Sequence, residues 1–260
     1  MREKIKQKLV EVFSEFEEIL GFFEGGSAAF DRADEWSDLD LQLVVKDDFA
    51  EQAVPLLEDT LESIAPIEDK FILPKPTWHG HWQGFYRLES LSPYLVIDFL
   101  IMKESSPSYF TETELHGIPK IFFDKTGRIG REHIDQEELQ QVIPNRVKRI
   151  VGISKMFYNI VDKEIKRNRI IDAVDLYYNL ILRSYVELLR IKYDPARWSF
   201  GCRYLGFDLP VDIYNEIQNL FYIQNTEDLQ KKNDIVMKRI NKLLRENLTY
   251  NLCKQMEELS

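Results

Sequence analysis

The sequence predicts an α+β fold: a small mixed β-sheet flanked by helices, followed by an all-α helical bundle. Three observations predict it. Apolar residues recur at helical spacing over the first twenty positions. Between residues 21 and 123, short apolar runs alternate with turn residues and with further helical stripes. After about residue 135 the short runs stop and only helical periodicity remains. The expected division is therefore 1–135 for the mixed domain and 136–260 for the helical one.

Ile5, Leu9, Val12, Phe13, Phe16, Ile19 and Leu20 share one helical face, so the first element is expected to be a helix reaching Leu20. Gly21 to Glu24 reads as a short strand ended by Gly25 and Gly26, and Ser27 to Arg32 suits a brief helix. Leu39 to Val45, rich in Leu and Val between polar flanks, is a strand. A helix is expected over Phe49–Ile64, with Val54, Leu57, Leu61 and Ile64 on one side. Gly84–Glu89 and Tyr94–Met102 flank a Ser-Leu-Ser-Pro turn and read as an antiparallel pair. A further strand is expected over Ile121–Phe123. In the second half, helical stripes run through Val147–Val161, Asp172–Tyr193, Val211–Ile223 and Asp228–Leu259.

The chain has 260 residues, 44% apolar and 30% charged, which is enough for a sizeable core. Its net charge of -10 argues against holding DNA or RNA by general phosphate attraction. Two widely separated cysteines, Cys202 and Cys253, exclude a disulfide framework and fit a reducing cytoplasm. No run approaches the roughly 20 apolar residues of a membrane span, and the first residues do not read as a signal peptide.

The stretch Phe22–Val45, FFEGGSAAFDRADEWSDLDLQLVV, carries the chemistry. Asp38 and Asp40 stand one residue apart at the start of a strand, where alternate side chains share a face. Two like charges so close are costly unless a cation sits between them, and magnesium prefers such oxygen ligands. Asp98 interrupts the apolar run LVIDFLIM and needs a comparable reason to be there. If its strand lies beside the Leu39 strand, the three aspartates can hold two metal ions about 3.5–4 Å apart around an in-line displacement at phosphorus. Gly26 and Ser27 can hold a nucleotide's phosphates, glycine by allowing close backbone approach and serine through its hydroxyl. Ser37, immediately before Asp38, is placed with them as a nucleotide-binding residue.

Gly26-Ser27 followed by Asp38-Leu-Asp40 and a later strand aspartate resembles the signature of the polymerase-β-type nucleotidyltransferase superfamily. The stretch is similar to its bacterial members that modify small molecules, the aminoglycoside and lincosamide nucleotidyltransferases. The resemblance implies an N-terminal nucleotidyltransferase domain followed by a helical domain. It implies that Asp38, Asp40 and Asp98 bind two Mg2+ ions and that Gly26 and Ser27 bind the phosphates of a nucleoside triphosphate. The expected reaction is transfer of a nucleoside monophosphate, AMP from ATP, to a hydroxyl of a small-molecule acceptor such as an aminoglycoside-like antibiotic, with release of pyrophosphate. Antibiotic resistance is the role such an acceptor suggests. The expected partners are the nucleotide and the acceptor, without nucleic acid or membrane, in a monomer or homodimer. The chain departs from many relatives just after the short helix, where Phe30-Asp31 precedes Arg32. Rival readings are a protein-modifying adenylyltransferase resembling antitoxins of bacterial pairs, and a non-catalytic nucleotide-binding module.

Other features read more plainly. Trp78-His79-Gly80-His81-Trp82 offers two histidines but no nearby cysteine or third histidine, so it reads as a loop with aromatic neighbours. Its tryptophans either line an acceptor pocket or serve packing. The basic run Lys163–Arg169 reads as a solvated helix end. Asp172, Asp175 and Glu187 are candidates for a general base in the helical domain, and the segment Asp194–Leu205 has no chemistry assigned to it.

Overall fold

Six strands form one mixed sheet in the order β3-β4-β5-β2-β1-β6, where β1 is Ile19–Glu24, β2 Leu39–Val45, β3 Ile67–Ile72, β4 Trp82–Leu88, β5 Ile97–Lys103 and β6 Lys120–Asp124. Only β2 and β5 run parallel; the other neighbours are antiparallel. The structure, a computed structural model, describes residues 1–246. It divides into one unit over Met1–His133, which holds the sheet, and a second from Ile134 onward.

Alternation along the central strands decides which face is core. Leu39, Leu41 and Leu43 of β2 and Ile97, Phe99 and Ile101 of β5 are buried. They pack with Ile5, Leu9 and Phe13 of α1 (Arg2–Phe13) and with Ala53, Leu57 and Leu61 of α3 (Ala50–Glu62). Each fully buried Leu or Phe here contributes about 1.5–3 kcal/mol of burial. The intervening residues of the same strands face the other way, where Val44, Leu100 and Met102 pack with Phe23, Tyr109 and Ile129. Asp40 and Asp98 belong to this second face by the same alternation.

The first helix is shorter than its sequence stripe. It ends at Phe13, and Ile19 and Leu20 open β1. The reason is that β1 lies between β2 and β6 and is buried along its whole length. A strand covered on both faces is a continuous apolar run, which periodicity alone merges with a preceding amphipathic helix. The brief helix expected over Ser27–Arg32 is α2, Gly26–Ala29. Strand β3 has no counterpart among the expected strands. Its sequence, IEDKFI, is charged and mostly exposed, as suits an edge strand paired only with β4. A one-turn helix, α4 (Thr113–His116), precedes β6.

From Ile134 onward the described residues form helices without strands. Asp135 caps α5 (Gln136–Met156) by accepting from the backbone N–H groups of Glu137 and Glu138, at 2.8 and 3.2 Å. After α6 (Ile160–Lys166), the stripe expected over Asp172–Tyr193 is a continuous run made of α7 (Ile170–Leu176), a π-helical segment (Tyr177–Leu182) and α8 (Arg183–Tyr193). The π segment carries two adjacent tyrosines. Their hydroxyls donate to the carbonyls of Leu220 and Phe221, at 2.9 and 2.5 Å, which close α10 (Val211–Phe221). The final described helix is α11 (Thr226–Arg245); the part of the expected Asp228–Leu259 helix beyond residue 246 lies outside the described residues, as does Cys253.

The segment Asp194–Leu205 acquires a structural role. Arg190 is fully buried and donates to the carbonyls of Gly201 (2.6 Å) and Arg203 and to the Asp208 carboxylate (3.1 Å). Asp208, on the short helix α9 (Leu205–Asp208), also accepts from Arg197 at 2.7 Å. The loop therefore wraps a buried ion cluster in which one carboxylate, Asp208, is shared by two arginines. The basic run Lys163–Arg169 surrounds the buried Glu164, which lies 3.1 Å from Arg167, 3.5 Å from Lys163 and 3.7 Å from Arg169. Among the described residues no helix is long and apolar enough to cross a membrane.

Candidate active site

The parallel pairing of β2 with β5 sets Asp40 directly beside Asp98, with Leu39 beside Ile97 and Leu41 beside Phe99. Because those flanking residues are buried toward α1 and α3, the two carboxylates are held on the opposite face, next to each other. Burial and the neighbouring charges of Asp98, Asp38 and Glu24 push the Asp40 carboxyl up to about 7. Burial also raises Asp98; a hydrogen bond from Gln83 opposes the rise and the charge of Asp38 adds to it. Glu24, buried at the end of β1, is balanced by Lys6 of α1 at 3.0 Å. No such cation is bonded to Asp40 or Asp98 among the described residues, so the acid pair retains its raised proton affinity.

Asp38 lies one residue before β2 and is exposed. Its charge bears on both other aspartates. The three do not close into a ligand cluster as they stand: among the described residues no group of three or more His, Cys, Asp or Glu side chains is gathered closely enough to hold a metal ion. Mutual repulsion opposes such a gathering. The donor chemistry nevertheless fits a hard divalent cation. The facing pair offers only carboxylate oxygens, and its raised proton affinity marks a place where positive charge is favoured.

The glycine-serine turn abuts this pair. Gly26 has φ of +53°, and a Cβ there would lie 1.9 Å from the Asp40 Oδ2. Glycine at this position thus admits both a left-handed backbone and the close approach of the carboxylate. The backbone N–H of Gly25 also donates to the Asp40 carbonyl at 2.9 Å. Ser27 lies within α2, whose N-cap is Gly25, so its side chain does not cap the helix. Ser37 is engaged elsewhere. Its hydroxyl donates to the Asp34 carboxylate at 2.8 Å and accepts from the Asp34 N–H at 2.9 Å, while its carbonyl accepts from Arg2. These bonds shape the turn that leads into Asp38.

The histidine loop precedes β4 and meets the acid face through Gln83. His79 and His81 stack on each other with centroids 5.4 Å apart, and both meet Phe110 edge-on. Trp78 is exposed, whereas Trp82 packs against the sheet core. Gln83 is the residue that sequence reasoning missed. Its signal was its place just before the expected strand Gly84–Glu89, which in the structure begins at Trp82 and takes in Gln83, two residues from the Phe85 that pairs with Asp98. Of the general-base candidates, Glu187 is held bidentately by Arg146 at 2.7 and 3.0 Å, and Asp175 accepts from Asn179 at 2.6 Å.

Comparison with solved structures finds nucleotidyltransferases. The chain is similar over 99% of its length to 98% of an aminoglycoside 6-adenyltransferase from Bacillus subtilis, at 11% identity and a TM-score of 0.36. It is similar over 93% of its length to 97% of a spectinomycin adenyltransferase from Enterococcus faecialis, solved with ATP and spectinomycin, at 13% identity and a TM-score of 0.35. A nucleotidyltransferase-like protein from Exiguobacterium sibiricum matches 93% of this chain over 75% of its own, at 13% identity and a TM-score of 0.40. No protein-family model and no curated protein matches the sequence.

Proposed function

We propose that the protein is a cytoplasmic nucleotidyltransferase that moves AMP from ATP to a hydroxyl of a small molecule, an aminoglycoside-like antibiotic being the first acceptor to test. The observation that carries this reading is the in-register pair of Asp40 and Asp98 on parallel strands, with Gly26 folded against Asp40. A close, largely buried acid pair with no cation bonded to it among the described residues suits a site that handles phosphate-bound cations.

Residues Met1–His133 form the catalytic domain in this reading. Asp38, Asp40 and Asp98 would hold magnesium, two ions by the motif resemblance, and the bound ions supply neutralisation of the triphosphate and of the departing pyrophosphate. Gly26 and Ser27 bind and orient the phosphates beside the acids. The acceptor hydroxyl attacks the α-phosphorus, a new phosphorus–oxygen bond forms, and the bond from that phosphorus to the β-phosphate oxygen breaks. Asp98, kept ionised by the bound cation, would accept the proton that the hydroxyl loses. The acidic balance of the chain, -10, suits a polycationic acceptor.

The test is pyrophosphate release with each labelled nucleoside triphosphate, magnesium, and a panel of aminoglycosides and lincosamides. Release that requires one acceptor and disappears in Asp40→Asn is the expected result. Release that survives both Asp40→Asn and Asp98→Asn would remove the site assignment.

A further inference from the structure

We propose that Gln83 and His79 are positioning residues for Asp98, linked to it by a one-way chain of hydrogen bonds. The inference rests on the reading of Asp98 as an active-site acid.

The chain begins at a backbone group. The N–H of His81 donates to His79 Nδ1 at 3.1 Å. That nitrogen must therefore present a lone pair, which places the ring proton on Nε2. His79 Nε2 lies 3.1 Å from Gln83 Oε1, so it donates there. The carboxamide is thereby oriented, and its Nε2 donates to Asp98 Oδ1 at 2.7 Å. Reversing the amide would set donor against donor at His79 and acceptor against acceptor at Asp98. Each bond therefore fixes the next, and the last fixes the plane of the Asp98 carboxylate.

The loop is built to hold the first link. Gly80 has φ of +82°, which lets the chain turn back so that the His81 N–H reaches the ring of His79. The turn is closed by Gly80 N–H to the Thr77 carbonyl at 3.1 Å and by the Thr77 hydroxyl to the His81 carbonyl at 2.5 Å. The His81 ring is buried against Phe110, and burial holds its pKa down to about 4, so it stays neutral beneath His79. Strand pairing supplies the second link. Phe85 of β4 faces Asp98 of β5, and Gln83, two residues along, lies diagonally on the same face.

The chemistry of the donor matters. A lysine or arginine in place of Gln83 would cancel the charge of Asp98, leaving the pair with less attraction for a cation. A neutral carboxamide orients the oxygen and leaves the charge available. This is the usual work of groups lying behind a metal-binding carboxylate.

The test is Mn2+ binding to the full chain with no nucleotide, read by electron paramagnetic resonance of the free ion, with thermal unfolding of each variant alongside. Asp98→Asn is expected to lose binding. Gln83→Met, similar in size but unable to donate, is expected to weaken it about 10- to 100-fold. His79→Asn should weaken it as well, whereas His79→Gln, which places an N–H where Nε2 stood, should restore it. Nitrogen-15 spectra of the metal-free protein should show His79 protonated on Nε2. Unchanged Mn2+ affinity in Gln83→Met, beside lost affinity in Asp98→Asn, overturns the positioning role and leaves the acid site standing. Should Gln83→Met fail to fold, equal affinities in the two His79 variants overturn it instead. A proton on His79 Nδ1 breaks the chain. Failure of the unaltered protein to bind Mn2+ overturns the acid-site reading and this inference together.

Discussion

Replacing Asp40 by Asn should make the metal-free protein more stable, and increasingly so as pH rises. In the unfolded chain this carboxyl titrates near its ordinary value of 3.8, whereas in the fold it titrates at about 7. The folded state therefore holds a proton that the unfolded state gives up between these values. Folding stability is highest when the group is protonated in both states, falls as pH rises from about 4 to 7, and stays low above that. At 1.36 kcal/mol per pH unit the full penalty is about 4 kcal/mol, of which about 2–3 kcal/mol develops between pH 5 and 8. Asparagine fills nearly the same space without the charge, and relieves the repulsion on Asp98 and Asp38 as well. Urea unfolding of both proteins in chelator, at several pH values from 5 to 8, reads the difference directly. The stability gap should open with rising pH by about 2–3 kcal/mol, and magnesium should narrow it at pH 8 by stabilising only the unaltered protein. A gap independent of pH, or one that closes with rising pH, would refute the account of Asp40 as a strained acid.

Three further substitutions test the turn beside Asp40 and the buried ion cluster of the second unit. Gly26→Ala places a methyl group 1.9 Å from Asp40 Oδ2 on a left-handed backbone, so turnover should fall sharply while the second unit stays folded, checked by pyrophosphate release and circular dichroism. Asp208→Ala removes the carboxylate that Arg190 and Arg197 share in the interior and should cost about 3–5 kcal/mol in denaturant unfolding, while Asp194→Ala, whose carboxylate lies 3.8 Å from Arg197, should cost clearly less.

Much of this protein was legible in its sequence because the signals were local. The strand Leu39–Val45 appears with the predicted bounds, since its apolar run ends in polar residues on both sides. The switch from mixed structure to helices shows as a change of hydrophobic period. Asp98 could be singled out because one charge in a strand otherwise apolar demands an explanation. The two-residue repeat of a strand suggested Asp38 and Asp40 as a pair, but Asp38 lies one residue before β2 and is exposed.

Tertiary structure decided the rest. Which strand lies beside which is a matter of long-range pairing, and only the parallel register of β2 with β5 sets Asp40 against Asp98. The end of α1 and the start of β1 depended on β1 being covered from both sides, which no local period encodes. The edge strand β3 forms because β4 offers its free hydrogen-bonding groups, although IEDKFI has little apolar pattern of its own. The closest contacts were the least legible. Gly26 reads as a residue for approaching phosphate, and the fold shows that it also makes room for the Asp40 carboxylate. Ser37 reads as a nucleotide contact, yet its hydroxyl closes a turn with Asp34. Gln83 fell outside the expected strand, and only the register of β4 against β5 sets it diagonally to Asp98. Residue type fixes what a side chain can donate or accept, and the partner it meets is fixed by strand pairing and loop closure, which bring distant segments within 3 Å of each other.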